Sequence, residues 1–109
     1  FMAWQDTPSC RRAFFAARSL VGAAKVVGVA VSAADPLPLD ILPGVALTQQ
    51  PVVQDTRNAG QTLLDMAGHF QADMLVIGGY QHNMIYSRLV GSVTDYILAN
   101  TRVPVLLQH

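Results

Sequence analysis

DMLVIGGYQHNMIYSRLVGSVTDYILAN, Asp73 to Asn100, is the stretch whose reading decides the fold. It begins as a short apolar run, Met74 to Ile77, and turns at Gly78-Gly79. A loop follows, then Gly91-Ser92, then the apolar spacing of VTDYILAN, which predicts a helix with Ser92 as its N-cap. A strand, a glycine turn, a loop and a helix start in this order can cradle an anion. Glycine lets the backbone approach an oxygen closely and take positive φ, and the N–H groups of a nest and of a helix start point at the charge.

Working outward, RVPVLLQH predicts a last strand with Pro104 inside it, apolar on both faces. Before the stretch, RNAGQTLLDMAGHF predicts a helix capped by Asp55 or Thr56, with Leu63, Leu64, Ala67 and Phe70 on its core face. VALTQQPVV is extended, with Pro51 favouring an edge position. KVVGVAVS, Lys25 to Ser32, is β-branched and apolar on both faces, as an interior parallel strand would be. At the start, Phe1 to Trp4 reads as a strand end. Thr7 is placed to cap a helix with Pro8 in its first turn, running to about Ala24. Its core face is Ala13, Phe14, Ala17, Leu20, Val21 and Ala24.

The order is β-α-β-loop-β-α-β-α-β, which predicts an α/β fold: one mainly parallel five-stranded sheet with helices on both faces. Ligands of such sheets sit at the carboxyl ends of strands near a topological switch point. The loops after Trp4, Ser32 and Ile77 are therefore the places to search. Between strands two and three, AADPLPLDILPG (33–44) carries Pro36, Pro38 and Pro43 and cannot be helical. Either the domain lacks a helix there or residues are missing around 33–44. The chain, 1–109, reads as one domain. Its start at Phe1 without an initiator Met suggests part of a longer protein.

Composition narrows the function. The chain is 51% hydrophobic and 13% charged with zero formal net charge, so nucleic-acid binding lacks its basic footprint. No apolar stretch reaches the roughly 18 residues that would cross a bilayer. A single cysteine, Cys10, excludes an intrachain disulfide and fits a cytoplasmic setting. Near a helix start it can be activated, but a small buried thiol is the plainer reading. His69, His82 and His109 show no metal-ligand spacing, and no metal site is expected. Asp65 and Asp73 read as solvated, Ser87 and Ser92 lack a nucleophile elbow, and no catalytic residue is assigned.

ADMLVIGGYQHNMIYSRLVGSVTDYILANTRVPVLL resembles the C-terminal third of the universal stress protein family. The matching features are Gly78, nine residues from His82 to Val90, Gly91-Ser92, and Val103-Pro104-Val105-Leu106. MAWQDTPSCRRA resembles the family's first strand and turn, and the ending and AWQD are similar to the second half of tandem members. The resemblance implies an adenine-nucleotide alpha-hydrolase-like, Rossmann-like fold acting as a cytoplasmic stress-response binding module rather than an enzyme. It also implies ATP with Mg as the ligand. The nucleotide positions it carries over are Gln5, Gly78, Gln81, Gly91, Ser92 and Val93, with Ala3, Val31 and Ile77 retaining apolar character for an adenine slot. A homodimer or tandem pairing through the last strand, Val103, Pro104, Val105, Leu106 and Leu107, is implied as well. An apolar edge strand is itself a pairing template, which points the same way.

Three positions depart from the family pattern. Gln81 stands at the second glycine position, Gln5 at that of a ribose-binding Asp, and Asp6 adds a negative charge where an anion would sit. Two functions remain open on these residues. One is a module whose nucleotide loop is degenerate, and the other is an ATP/AMP-binding sensor whose occupancy controls dimer or partner interactions.

Overall fold

The computed structural model describes residues 1–22, 24, 26–52, 59–78 and 93–108. Five strands form one sheet: β1 (Met2–Ala3), β2 (Val27–Val31), β3 (Leu47–Pro51), β4 (Leu75–Gly78) and β5 (Val105–Gln108). The helices are α1 (Pro8–Val21), α2 (Ala59–His69) and α3 over 93–100. Every pairing is parallel and the spatial order is β3-β2-β1-β4-β5.

The two faces of the sheet follow from residue parity. Val27, Val29 and Val76 meet Ala13, Phe14, Ala17 and Val21 of α1, while Ala30, Leu75 and Ile77 meet Ala67 of α2 and Ile97 of α3. Apolar residues on both faces of β2 and β4 are what covering both faces requires. The steps β1 to β2 and β2 to β3 move one way along the sheet, over the α1 face. The returns through α2 and α3 lie on the opposite face. One handedness for all crossovers demands this division.

The crossover from β2 to β3 has no helix, as its three prolines predict. It covers the sheet with side chains instead: Leu42 is buried, and Leu37, Ile41 and Val45 pack beside it on the α1 cluster. The edge position expected for Pro51 is also found. Val52 N–H donates to the Val31 carbonyl at 3.0 Å, so the nitrogen of Pro51, one residue earlier, lies on the open side of the strand, where no ladder bond is lost.

Several boundaries differ from expectation. α1 stops at Val21, capped by Gly22, whose N–H donates to the Arg18 carbonyl at 3.3 Å. Leu20 (48% exposed) and Ala24 thus lie outside the core face assigned to them. β2 begins at Val27, with Val26 exposed. Pro104 precedes β5 rather than lying within it, although its carbonyl still accepts the Leu75 N–H at 2.9 Å. A ring without an N–H is tolerated just before an edge strand more readily than inside it. The caps at Asp55, Thr56 and Ser92 lie outside the described residues. α2 ends through a left-handed residue, Gln71 (φ 58°), with Ala72 N–H donating to the Ala67 carbonyl at 3.0 Å.

Candidate functional site

β1 is the central strand. The chain leaves it through α1 toward β2 on one side and later returns to β4 on the other, so the switch point lies between the carboxyl ends of β1 and β4. The turn into α1 is built by short polar residues. Gln5 carbonyl accepts the Thr7 N–H at 2.8 Å, and Thr7, extended at φ −132°, caps the helix by accepting the Cys10 N–H on Oγ1 at 3.2 Å. Pro8 follows, where the missing N–H breaks no helical bond.

Gly78 closes the other side of the switch point, and its role is first a packing one. A Cβ at this position would lie 2.7 Å from both the Cys10 nitrogen and Cα, and 3.0 Å from the Ser9 carbonyl carbon. These are backbone atoms, which no rotamer change can move. The sequence reading explained this glycine by close approach to an anion; the structure adds close approach to the first turn of α1.

Cys10 sits in this contact. Its thiol donates to the Ala3 carbonyl at 3.2 Å and accepts the Gln5 N–H at 3.3 Å. Burial pushes its pKa up from 9.0 to about 11, outweighing the backbone bonds that favour the thiolate. The activated reading of Cys10 is therefore replaced by the buried one. The sign of the pH effect follows. Below about pH 9 both folded and unfolded chains hold the proton; between about 9 and about 11 only the folded chain does, and stability falls as pH rises. At 1.36 kcal/mol per unit, the loss should approach about 2–3 kcal/mol. Urea unfolding of the native chain and of Cys10→Ala at pH 8 and 10.5 should show the native chain losing more. Equal losses would mean that the thiol is not buried in solution.

The candidate residues are placed as follows. Ala3 and Ile77 are on neighbouring strands and belong to the core on the α2 face, together with half-buried Val93 at the start of α3. Val31 belongs to the core on the α1 face. These apolar positions thus come from both sides of the sheet and converge only at its carboxyl edge. Gln5 is exposed beside the switch point. Gln81, Gly91 and Ser92 lie outside the described residues, as do His82, Arg88 and His109. Asp6 does not stand alone: Arg11 Nη2 is 3.0 Å and Nε 3.1 Å from its Oδ1. The negative charge that Asp6 brings to the turn is paired there by a cation one helical turn on.

The universal stress protein family pattern matches residues 30–109. The chain belongs to this family. Solved structures of similar fold include a universal stress protein in complex with cAMP (22% identity, covering 99% of this chain and 93% of that one, TM-score 0.67). Another is a universal stress protein from Archaeoglobus fulgidus (18% identity, 99% and 96%, TM-score 0.75). A third is a Mycobacterium tuberculosis protein (24% identity, 99% and 91%, TM-score 0.58). At these identities the likeness establishes the fold. No curated protein matches the sequence significantly.

Within this universal stress protein domain, sequence reasoning passed over two things. The strand-end reading of Trp4 gives its side chain no role, and the sequence pattern does not show that Arg11 pairs with Asp6, although the two are five apart across a predicted cap. A groove of about 430 Å³ between the ends of α2 and α3, lined by Leu64, Gly68, Gln71, Tyr96, Asn100 and Val103, opens at the amino end of the sheet. It is away from the switch point. Asp65 and Asp73 are exposed, as expected of solvated residues. Among the described residues no helix is long and apolar enough to cross a membrane.

Proposed function

We propose that this universal stress protein domain is a binding module, not a catalyst, that takes an adenine nucleotide at the carboxyl ends of β1, β2 and β4. The observation that carries the reading is the Asp6–Arg11 pair at the switch point. An unpaired carboxylate beside the start of α1 would repel a phosphate. Paired, it leaves the turn without excess charge, and the helix N-terminus with its positive end. The cAMP complex of a structural neighbour supports a nucleotide as the ligand class. Gln5, exposed next to the pair, offers its side-chain amide to a ribose hydroxyl. Among the described residues no group of three His, Cys, Asp or Glu side chains is placed to hold a metal.

A second reading is favoured by β5. Among the described residues it is an edge strand with one side of its ladder open, and its four residues are all half-buried. Pairing with a second copy, or with a tandem domain, would satisfy that edge and cover Val105, Leu106 and Leu107. The two readings are compatible, since nucleotide occupancy can shift a dimer equilibrium if the two states bind it with different affinity.

Calorimetric titration of the purified protein with MgATP and with cAMP tests the nucleotide reading. Saturable heat near one ligand per domain with micromolar affinity is expected. Absence of heat at millimolar concentrations of both would leave the β5 surface as the functional part, and sedimentation would then be the measurement to make.

A further inference from the structure

The charge of the chain balances only as a whole. Of its seven Lys and Arg residues, four (Arg11, Arg12, Arg18 and Lys25) fall between Asp6 and Asp35, and no acidic residue does. The rest of the chain carries the opposite excess. Exposed apolar side chains gather in the same segment: Phe15 is 64% exposed, Val26 62% and Leu20 48%. Cations and exposed apolar surface thus coincide on α1 and just beyond it.

Ala13, Phe14, Ala17 and Val21 turn one face of α1 to the sheet. Phe15 is on the outer face. Arg11 and Arg12 lie one turn before it and Arg18 one turn after, at the spacings that meet on a helix surface, and all three are exposed. The Arg18 guanidinium lies over the Phe15 ring, 3.7 Å from its centroid. Stacking uses one face of the guanidinium and leaves its N–H edge, the fork that takes a carboxylate with two bonds. Arg11 is directed to Asp6 and to the Trp4 ring. A single exposed apolar residue needs no explanation. A phenyl ring among three arginines, with one of them already stacked on it, is a preformed contact for a partner that is both acidic and apolar.

Three kinds of surface could answer such a face. A bilayer takes up several apolar side chains from one side of a helix. Phe15 and Leu20 are about 140° apart around α1, so only one of them could enter at a time, and the apolar stripe is spent on the sheet. A nucleic-acid backbone gains its affinity from many phosphate contacts, and one of these three arginines is already paired with Asp6. An acidic peptide asks for least: one carboxylate in the Arg18 fork and one apolar side chain on Phe15. Its geometry also fits. Alternate side chains of an extended peptide point the same way about 6.8 Å apart, and helix neighbours three or four residues apart are separated by about 5–6 Å. The length of the arginine side chains absorbs the difference.

We propose that the outer face of α1 docks an acidic peptide segment of a partner protein, with a carboxylate held by Arg18 and a nearby apolar side chain on the Phe15 ring. This is independent of the nucleotide reading, which concerns the turn before α1 rather than its outer face.

The probe is a fluorescein-labelled peptide with the core Glu-Ser-Leu-Ser-Glu. Titrated with the protein at low salt, it should show a saturable rise in anisotropy at sub-millimolar concentration, weakening as salt is added. The same peptide with Gln in place of Glu should bind at least about tenfold more weakly. Arg18→Gln should weaken binding of the Glu peptide about five- to tenfold, and Phe15→Ser about three- to fivefold. Both side chains are exposed, so the urea midpoints of the variants should stay near that of the native chain. No saturable binding of the Glu peptide would overturn the proposal. So would equal binding of the Gln peptide, which is read on the native protein, or unchanged binding by a folded Arg18→Gln variant. Cosedimentation with vesicles of phosphatidylserine and phosphatidylcholine in equal parts, without peptide binding, would overturn it in favour of a membrane contact.

Discussion

Replacing Phe14 with alanine is expected to destabilise the domain by about 3–5 kcal/mol. Phe14 is wholly buried in α1 and sets its ring edge-on to Trp4 at 5.2 Å. Around it lie Val29 and Val76 of the sheet, Ala13 and Ala17 of its own helix, and Leu42 of the crossover. The alanines cannot refill the space, and the strands are held by their ladders, so the cavity would persist. Domains of this size have about 5–15 kcal/mol in total, so the variant should be close to unfolding. Urea denaturation should show the midpoint fall with little change in slope. Phe14→Leu, which keeps most of the volume, should cost well under half as much. A loss below about 1 kcal/mol for the alanine variant would mean that α1 does not pack on the sheet as described.

Gly78→Ala is expected to cost about 2–3 kcal/mol in the absence of any ligand. The added methyl would stand 2.7 Å from the backbone nitrogen and Cα of Cys10, so either β4 or the first turn of α1 must shift. A shift of α1 would also disturb the Thr7 cap and the thiol bond to Ala3, which share that turn. Stability measured without nucleotide separates this from a purely ligand-binding role. A glycine needed only for approach to an anion could be replaced by alanine with no loss in the ligand-free protein. An unchanged urea midpoint would rule out the close helix–strand contact.

Much of this arrangement could be read from residue order. The β-branched run after α1, the apolar run before Gly78 and the Thr7-Pro8 cap each state their local structure, because period, propensity and capping agree there. The prolines of the crossover forbade a helix, and none forms. The ends of elements were less legible. α1 was carried on to Ala24 because Leu20 and Ala24 fit the apolar period, yet the helix stops at Val21 and both side chains are exposed. Periodicity marks which residues can face a core, while the sheet decides how far along the helix there is a core to face.

For the candidate site, sequence identified the turn after Trp4, the end of β2 and Gly78 as the residues to watch. It treated Asp6 as an isolated negative charge, since a local pattern does not show where a side chain five residues on will reach. It likewise took Ala3, Val31 and Ile77 together, although strand parity sends Val31 to one face and the other two to the opposite face.

By itself, then, the sequence determined the alternation of strands and helices, the helix-free crossover and the family, because each rests on local spacing. Only the tertiary structure decided three things. They are the order β3-β2-β1-β4-β5, with the switch point between β1 and β4, the pairing of Asp6 by Arg11, and the burial of the Trp4 indole N–H without a partner among the described residues. These depend on contacts between segments distant in sequence or on side-chain direction in three dimensions. No periodicity encodes them, because hydrophobic burial is indifferent to which strand lies next to which until the helices must be packed over both faces.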